Sequence, residues 1–233
     1  MAGAESSRRL GVELTMPRAR TAAAAAAPIE DPAAWTAEAQ RRHVGLDAVR
    51  AAAQRCHGCD LWQRATQTVF GEGSPRPRLM LVGEQPGDVE DRTGEPFVGP
   101  AGRLLDRALA EIGVARGAVY VTNAVKHFGW EERGKWRIHK KPRPENVRAC
   151  RPWVLIEIAL LQPKSLVLLG ATAAQSLLGP KVRVLRDRGQ SLPSTLAPKV
   201  LVTVHPSSLL RAPDDASREA GYQQFVADLR AAL

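Results

Sequence analysis

The sequence predicts a three-layer α/β/α fold over residues 34–233, with helices on both faces of a four-stranded parallel sheet. Two observations carry this reading. Short apolar runs alternate with stretches of helical periodicity from Leu79 onward, and the runs end in turns of Gly, Pro or small polar residues. Alternation of that kind needs crossover connections, which set successive strands parallel and cover them on both sides.

Residues 1–33 mix Arg, Ser, Pro and an alanine run without apolar periodicity, which predicts a disordered tail. Leu46 to Gln54 reads as a helix running into Cys56-His57-Gly58-Cys59, and Gly71 to Pro77 as a turn. Leu79 to Val82 is the first buried strand. Ala101 to Ile112 follows as a helix with Leu104, Leu105, Ala108 and Ile112 at helical spacing, and Val119 to Val121 as the second strand. Pro144 suits the first turn of a helix through Leu161, whose stripe of Val147, Cys150, Val154, Ile158 and Leu161 puts Cys150 on a buried face. Leu166 to Leu169 is the third strand, Ala171 to Leu178 a helix, Lys199 to Val204 the fourth strand, and Asp214 to Leu233 a closing helix with Phe225 and Leu229 inward.

Composition narrows the function. At 233 residues, 44% hydrophobic and 24% charged, the chain reads as a globular protein. No run approaches the roughly 20 apolar residues of a bilayer helix, and Ala22 to Ala27 is too short for a signal-peptide core. A cytoplasmic protein without membrane association is expected. The net charge of +9 is concentrated: Lys126 to Arg151 holds nine Lys or Arg against three Glu, which points to a polyanionic partner. Three cysteines argue against a disulfide framework and for a metal or reactive thiol site. A redox CxxC would open a helix after a strand, whereas here a helix runs into it.

In parallel sheets of this kind, ligands bind beyond the carboxyl ends of the strands. That rule selects Gly83 to Asp88, Thr122 to Ala124, Gly170 to Thr172 and His205 to Ser208. None is a Walker loop or a dinucleotide fingerprint. Glu84 and Gln85 on one rigid turn face His205 on another, which suits acid-base or electrostatic work on a small planar group.

These segments resemble the uracil-DNA glycosylase superfamily in its iron-sulfur branch. The resemblance rests on Gly83-Glu84-Gln85-Pro86-Gly87-Asp88, Pro96 to Leu105, Thr122 to Lys126, Ala149-Cys150-Arg151-Pro152-Trp153, Leu168 to Ala173 and His205-Pro206-Ser207-Ser208, in order across roughly residues 50–232. Gln85 with Asp88, and the basic loop Gly134 to His139, are similar to the UdgX type, which becomes covalently attached to uracil-containing DNA. Trp136 stands where that type has an arginine.

The resemblance implies a monomer that binds uracil in DNA, single-stranded by preference, cleaves the N-glycosidic bond and stays attached to the abasic sugar. It implies His139 as the nucleophile, Glu84 as the group that sets its tautomer, and His205 as hydrogen-bond donor to the pyrimidine O2. Phe97 would stack on the ring and Asn123 pair with its O4/N3–H edge, with Gln85, Asp88, Ser207 and Arg137 completing the substrate contacts. The branch carries a 4Fe-4S cluster on four cysteines. For this chain that implies Cys56, Cys59, Cys150 and, where the fourth cysteine would fall, His127. His57 competes for the fourth place, and spacing alone suits zinc on three cysteines and a histidine. Without the resemblance, His139 reads as a phosphate contact and Phe97 as core. Two other functions stay open: a conventional turnover uracil-DNA glycosylase, and a non-catalytic uracil- or single-strand-binding module.

Overall fold

A computed structural model describes residues 27–233. In chain order its elements are α1 (Pro32–Arg41), α2 (Leu46–Ala53), β1 (Glu72–Gly73), β2 (Leu79–Gly83), α3 (Asp88–Thr93), α4 (Pro100–Glu111), β3 (Tyr120–Asn123), β4 (Trp130–Arg133), β5 (Trp136–His139), α5 (Pro144–Leu161), β6 (Ser165–Leu169), α6 (Ala171–Leu178), α7 (Val184–Asp187), β7 (Lys199–Thr203), α8 (Pro206–Leu209) and α9 (Asp215–Arg230). Every residue of β2, β3 and β6 is buried, because successive side chains enter opposite cores. Leu79 and Leu81 pack with Leu105, Phe225 and Leu229 on one face. Met80 and Val82 pack with Val154 and Ala173 on the other. A third cluster around Trp153 ties α1 and α2 to α5 and encloses Cys56 and Cys150.

The central sheet has five strands in the order β1-β3-β2-β6-β7 and is mixed, which corrects the expected four-stranded parallel sheet. The four predicted strands are parallel, with Met80 opposite Tyr120, Leu81 opposite Val167 and Val167 opposite Leu201. The fifth, β1, adds antiparallel to β3 at the edge, pairing Glu72 with Val121 and Gly73 with Tyr120. Two exposed residues have no periodicity to read. Gly73 has φ +128°, and a Cβ there would lie 1.9 Å from the Val119 carbonyl oxygen, so the pairing needs a glycine.

A second sheet, the β4-β5 hairpin, occupies what the sequence reads as a basic loop. Trp130-Glu131-Glu132-Arg133 in β4 shows no apolar alternation, and β5 alternates over only four residues, Trp136 and Ile138 against Arg137 and His139. Residues 29–33, expected in the tail, are instead tied into the fold. Ile29 donates to Arg55 and accepts from His57, each at 2.8 Å, and Asp31 caps α1 through the Ala33 and Ala34 amides with Pro32 in the first turn. The rest of that tail, residues 1–26, lies outside the described residues. Among these, no helix is long and apolar enough to cross a membrane.

Candidate active site and thiol cluster

The parallel ladder runs on past its last pair, Gly83 opposite Asn123, as Ala124 and Val125 donate to the carbonyls of Gly83 and Glu84, each at 2.9 Å. This brings the carboxyl ends of β2 and β3 together at a cleft of about 860 Å3, lined by Glu84, Phe97, Asn123, His139, Thr172 and His205 among others. The cleft thus lies beyond the carboxyl ends of these strands, where the strand-end rule expects a ligand.

Gly83 makes the floor. A Cβ there would stand 2.4 Å from Asn123 Oδ1 and 2.5 Å from Phe97 Cζ, so both side chains close over a residue that must have none. Phe97 holds φ +59°, a left-handed conformation that costs a non-glycine residue on the order of 1 kcal/mol. Its ring is buried in the core, yet it borders the cleft with its centroid 5.7 Å from that of His205. Asn123 is 2% exposed, and its side-chain oxygen has no partner among the described residues. A buried, unmatched acceptor favours a ligand that brings a donor.

His205 caps α8. The Ser207 amide donates to its Nδ1 at 3.2 Å, and the Ser207 hydroxyl lies 2.8 Å from the same nitrogen. A ring nitrogen that accepts from an amide carries no proton, so the hydrogen sits on Nε2, the nitrogen left free to donate. Burial, with the neighbouring charges of His139 and Arg211, pushes His205 down to about 4. It is a neutral donor at pH 7. Ser207, expected on substrate, lines the cleft and also orients His205.

Glu84 accepts a short hydrogen bond from the Thr172 hydroxyl at the start of α6. Its other oxygen lies 3.4 Å from His139 Nε2. His139 ends β5 and is half exposed, so its position depends on how the hairpin is held. Three residues expected on substrate do that work. The Gln85 amide donates to the carbonyls of Gly129 and Lys140, both at 3.0 Å. Arg137 meets Asp88 at 2.5 Å and the fully buried Asp91 at 2.7 Å, and touches Thr66 at 3.2 Å. Despite burial, hydrogen bonds from Arg92 and Arg137 hold Asp88 below the usual carboxylate range. Gln85, Asp88 and Arg137 thus have their side chains bound to protein, and of the three Gln85 and Asp88 also line the cleft.

The thiols gather where α2 and the CxxC turn meet α5. Cys56 Sγ accepts from Trp153 Nε1 at 3.2 Å, and Cys150 Sγ from the Lys126 amide at 3.1 Å. Burial pushes all three thiols up, and Cys56 and Cys59 both raise Cys150 further. Among the described residues, no three His, Cys, Asp or Glu side chains stand close enough to close a metal site as they are arranged here. The donor chemistry nonetheless fits one. Thr68 gives its hydroxyl hydrogen to the Ala53 carbonyl at 3.1 Å, so at 2.9 Å it accepts from His127 Nε2–H. The lone pair of His127 lies on Nδ1, which is buried with no partner among the described residues. Burial pushes His127 down to about 4, leaving a neutral imidazole, a donor that suits the same metals as thiolates do. The competitor His57 stacks on Trp62 at 3.7 Å, with Nδ1 3.6 Å from Glu30.

Sequence reasoning missed Thr172 as the partner of Glu84, although the strand-end rule had selected its segment. Thr68 and Asp91 carried no signal, since each acts through another side chain.

Fold and cleft define an α/β protein whose strand ends bring an aromatic, a buried amide and a neutral histidine together at one cleft. The profile of the Uracil DNA glycosylase superfamily matches residues 70–230, and the chain belongs to that superfamily. It is 39% identical to the Type-4 uracil-DNA glycosylase of Thermotoga maritima over 167 residues, covering 71% of this chain and 83% of the relative. It is 36% identical to the Type-4 enzyme of Pyrobaculum aerophilum, covering 69% and 82%. Similarity to the Type-5 uracil-DNA glycosylase of Thermus thermophilus is 34% over a shorter stretch, 47% of this chain and 53% of the relative.

Proposed function

We propose that this protein is a uracil-DNA glycosylase of the UdgX type, which releases uracil from single-stranded DNA and stays attached to the sugar through His139. The observation that carries the reading is the approach of His139 Nε2 to Glu84 at 3.4 Å, on a hairpin tied down beside the cleft. A lone phosphate contact would need neither the carboxylate nor the tethers.

A base within a duplex is out of reach, so the nucleotide enters flipped or already unpaired. Uracil offers N3–H to the unmatched Asn123 oxygen and O4 to its amide, whereas cytosine reverses both and leaves two buried clashes. Phe97 supports the ring face. As the C1'–N1 bond breaks, its electron pair moves onto the uracil, and His205 Nε2–H donates to the growing charge at O2. Glu84 holds the ring nitrogen facing it as N–H and opposes the positive charge of the sugar. The lone pair on the other His139 nitrogen then closes on C1'. Water is the rival nucleophile, and Glu84 can orient it. That is the turnover reading, which the Type-4 names of the relatives favour.

Cys56, Cys59, Cys150 and His127 would hold a 4Fe-4S cluster, or zinc in its place, as a clamp between the CxxC turn and α5. The protein would act as a cytoplasmic monomer. A denaturing gel of uracil-containing single strand with protein tests the function: a shifted band supports attachment, an abasic product means turnover, and unchanged DNA means a binding module.

A further inference from the structure

The β4-β5 hairpin has two faces of opposite character. Arg137 and His139 turn inward to Asp88, Asp91 and Glu84. Strand alternation sends Trp136 and Ile138 the other way, where Trp136 is 65% exposed and Ile138 37%. Among the described residues, no packing accounts for that tryptophan. It stands just after the turn residues Gly134 and Lys135, with the Lys135 ammonium 5.5 Å from its ring centroid and Arg133 opposite it in the ladder. The ring and the cations around it match an unpaired base and its phosphates, since bases stack on exposed aromatics whatever their sequence.

We infer that Trp136 is a stacking platform for an unpaired base of the strand whose uracil occupies the cleft. The inference rests on the glycosylase reading for the position of that base. Trp136 and His139 are three residues apart on one strand, about 10 Å at the usual rise, and their side chains leave opposite faces, so the platform lies about three or more stacked nucleotides from the target. The platform thus grips one flank of the target nucleotide while the opposite face of the hairpin supplies His139.

The test uses the full chain and single-stranded oligodeoxynucleotides with one uracil, carrying 2-aminopurine at one to four positions on either side. Fluorescence should be quenched on binding at a position about three or four nucleotides from the uracil, on one side only. Trp136→Ala should abolish that quench and Trp136→Phe preserve it. Affinity for a uracil-free strand should fall about tenfold in Trp136→Ala and Trp136→Leu but stay within about threefold in Trp136→Phe, as one stacked base predicts. Unchanged affinity and an unchanged quenching profile in Trp136→Ala overturn the inference. So does concentration-dependent self-association lost in Trp136→Ala, which would make the face a contact between copies. Failure of the wild type to attach or release uracil would sink the glycosylase reading alone, because uracil-free affinity still decides Trp136.

Discussion

Arg137 and Asp88 meet at 2.5 Å, and this pair ties the hairpin that ends in His139 to the turn that begins with Glu84. Asp91, buried beneath them, takes the second arm of the guanidinium at 2.7 Å. Charge-assisted bonds of this kind contribute about 1.5–3 kcal/mol. Arg137→Ala should therefore slow attachment to uracil-containing strands by about tenfold or more, with a much smaller effect on binding of free uracil, whose proposed contacts Phe97, Asn123 and His205 lie outside the hairpin. An attachment rate equal to wild type would show that the hairpin is held without the latch.

Asn123→Asp keeps an acceptor for N3–H but sets a carboxylate against O4. Uracil affinity should fall roughly 10- to 100-fold, the cost of one unmatched buried polar pair, and discrimination against cytosine should fall with it. Competition binding with the two free bases measures this. Selectivity that survives the change would take Asn123 out of recognition.

Much of this architecture is legible in the residues. The four long strands are readable because both faces of each are covered, so the apolar runs are continuous. Edge strand β1 is not, being two exposed residues beside a glycine. The positions of Glu84, Asn123 and His205 follow from strand ends alone. What polar side chains bind does not: Gln85, Asp88, Arg137 and Ser207 resemble substrate contacts in sequence, yet each satisfies a backbone or side-chain partner that only folding brings near. His139 shows the same limit from the other side, since its approach to Glu84 spans 55 positions and rests on a hairpin whose only alternation, Trp136 to His139, is four residues long.

If the thiols and His127 hold a cluster, protein purified without oxygen should be brown, with visible absorption and matching iron and sulfide. Cys150→Ala should lose the absorption and a large part of the stability. His127→Ala should bleach faster in air and His127→Cys retain the colour. Colourless protein with one zinc per chain would replace the cluster with the simpler ion.

His205 links stability to pH. Its folded-state value, about 4, lies below the ordinary imidazole value near 6.5, so the unfolded chain binds more protons between those limits. Stability must then rise with pH across that window and be lost as pH falls from about 6.5 to 4, by up to about 3 kcal/mol from this group. His205→Gln should flatten that part of the curve of unfolding free energy against pH. An equally steep dependence in the variant would assign the effect to other groups.

The sharpest division between readings falls on His139. If it only contacts a phosphate, His139→Ala weakens binding modestly and a denaturation-resistant complex still forms through another group. If it is the nucleophile, the same change removes that complex while base binding through Phe97, Asn123 and His205 persists, since none of these touches the hairpin tethers. Serine leaves room beside C1', and Glu84, held by Thr172, is placed to orient a water there. His139→Ser should accordingly release uracil and an abasic strand over repeated turnovers, and Glu84→Gln should slow attachment in the otherwise unaltered protein by about tenfold or more, having lost the charge that opposes the oxocarbenium. Denaturing gels with excess substrate read all three variants. A cross-link persisting in His139→Ala would falsify the assignment, whereas its loss without uracil release from His139→Ser would leave the nucleophile in place and discard only the water at Glu84.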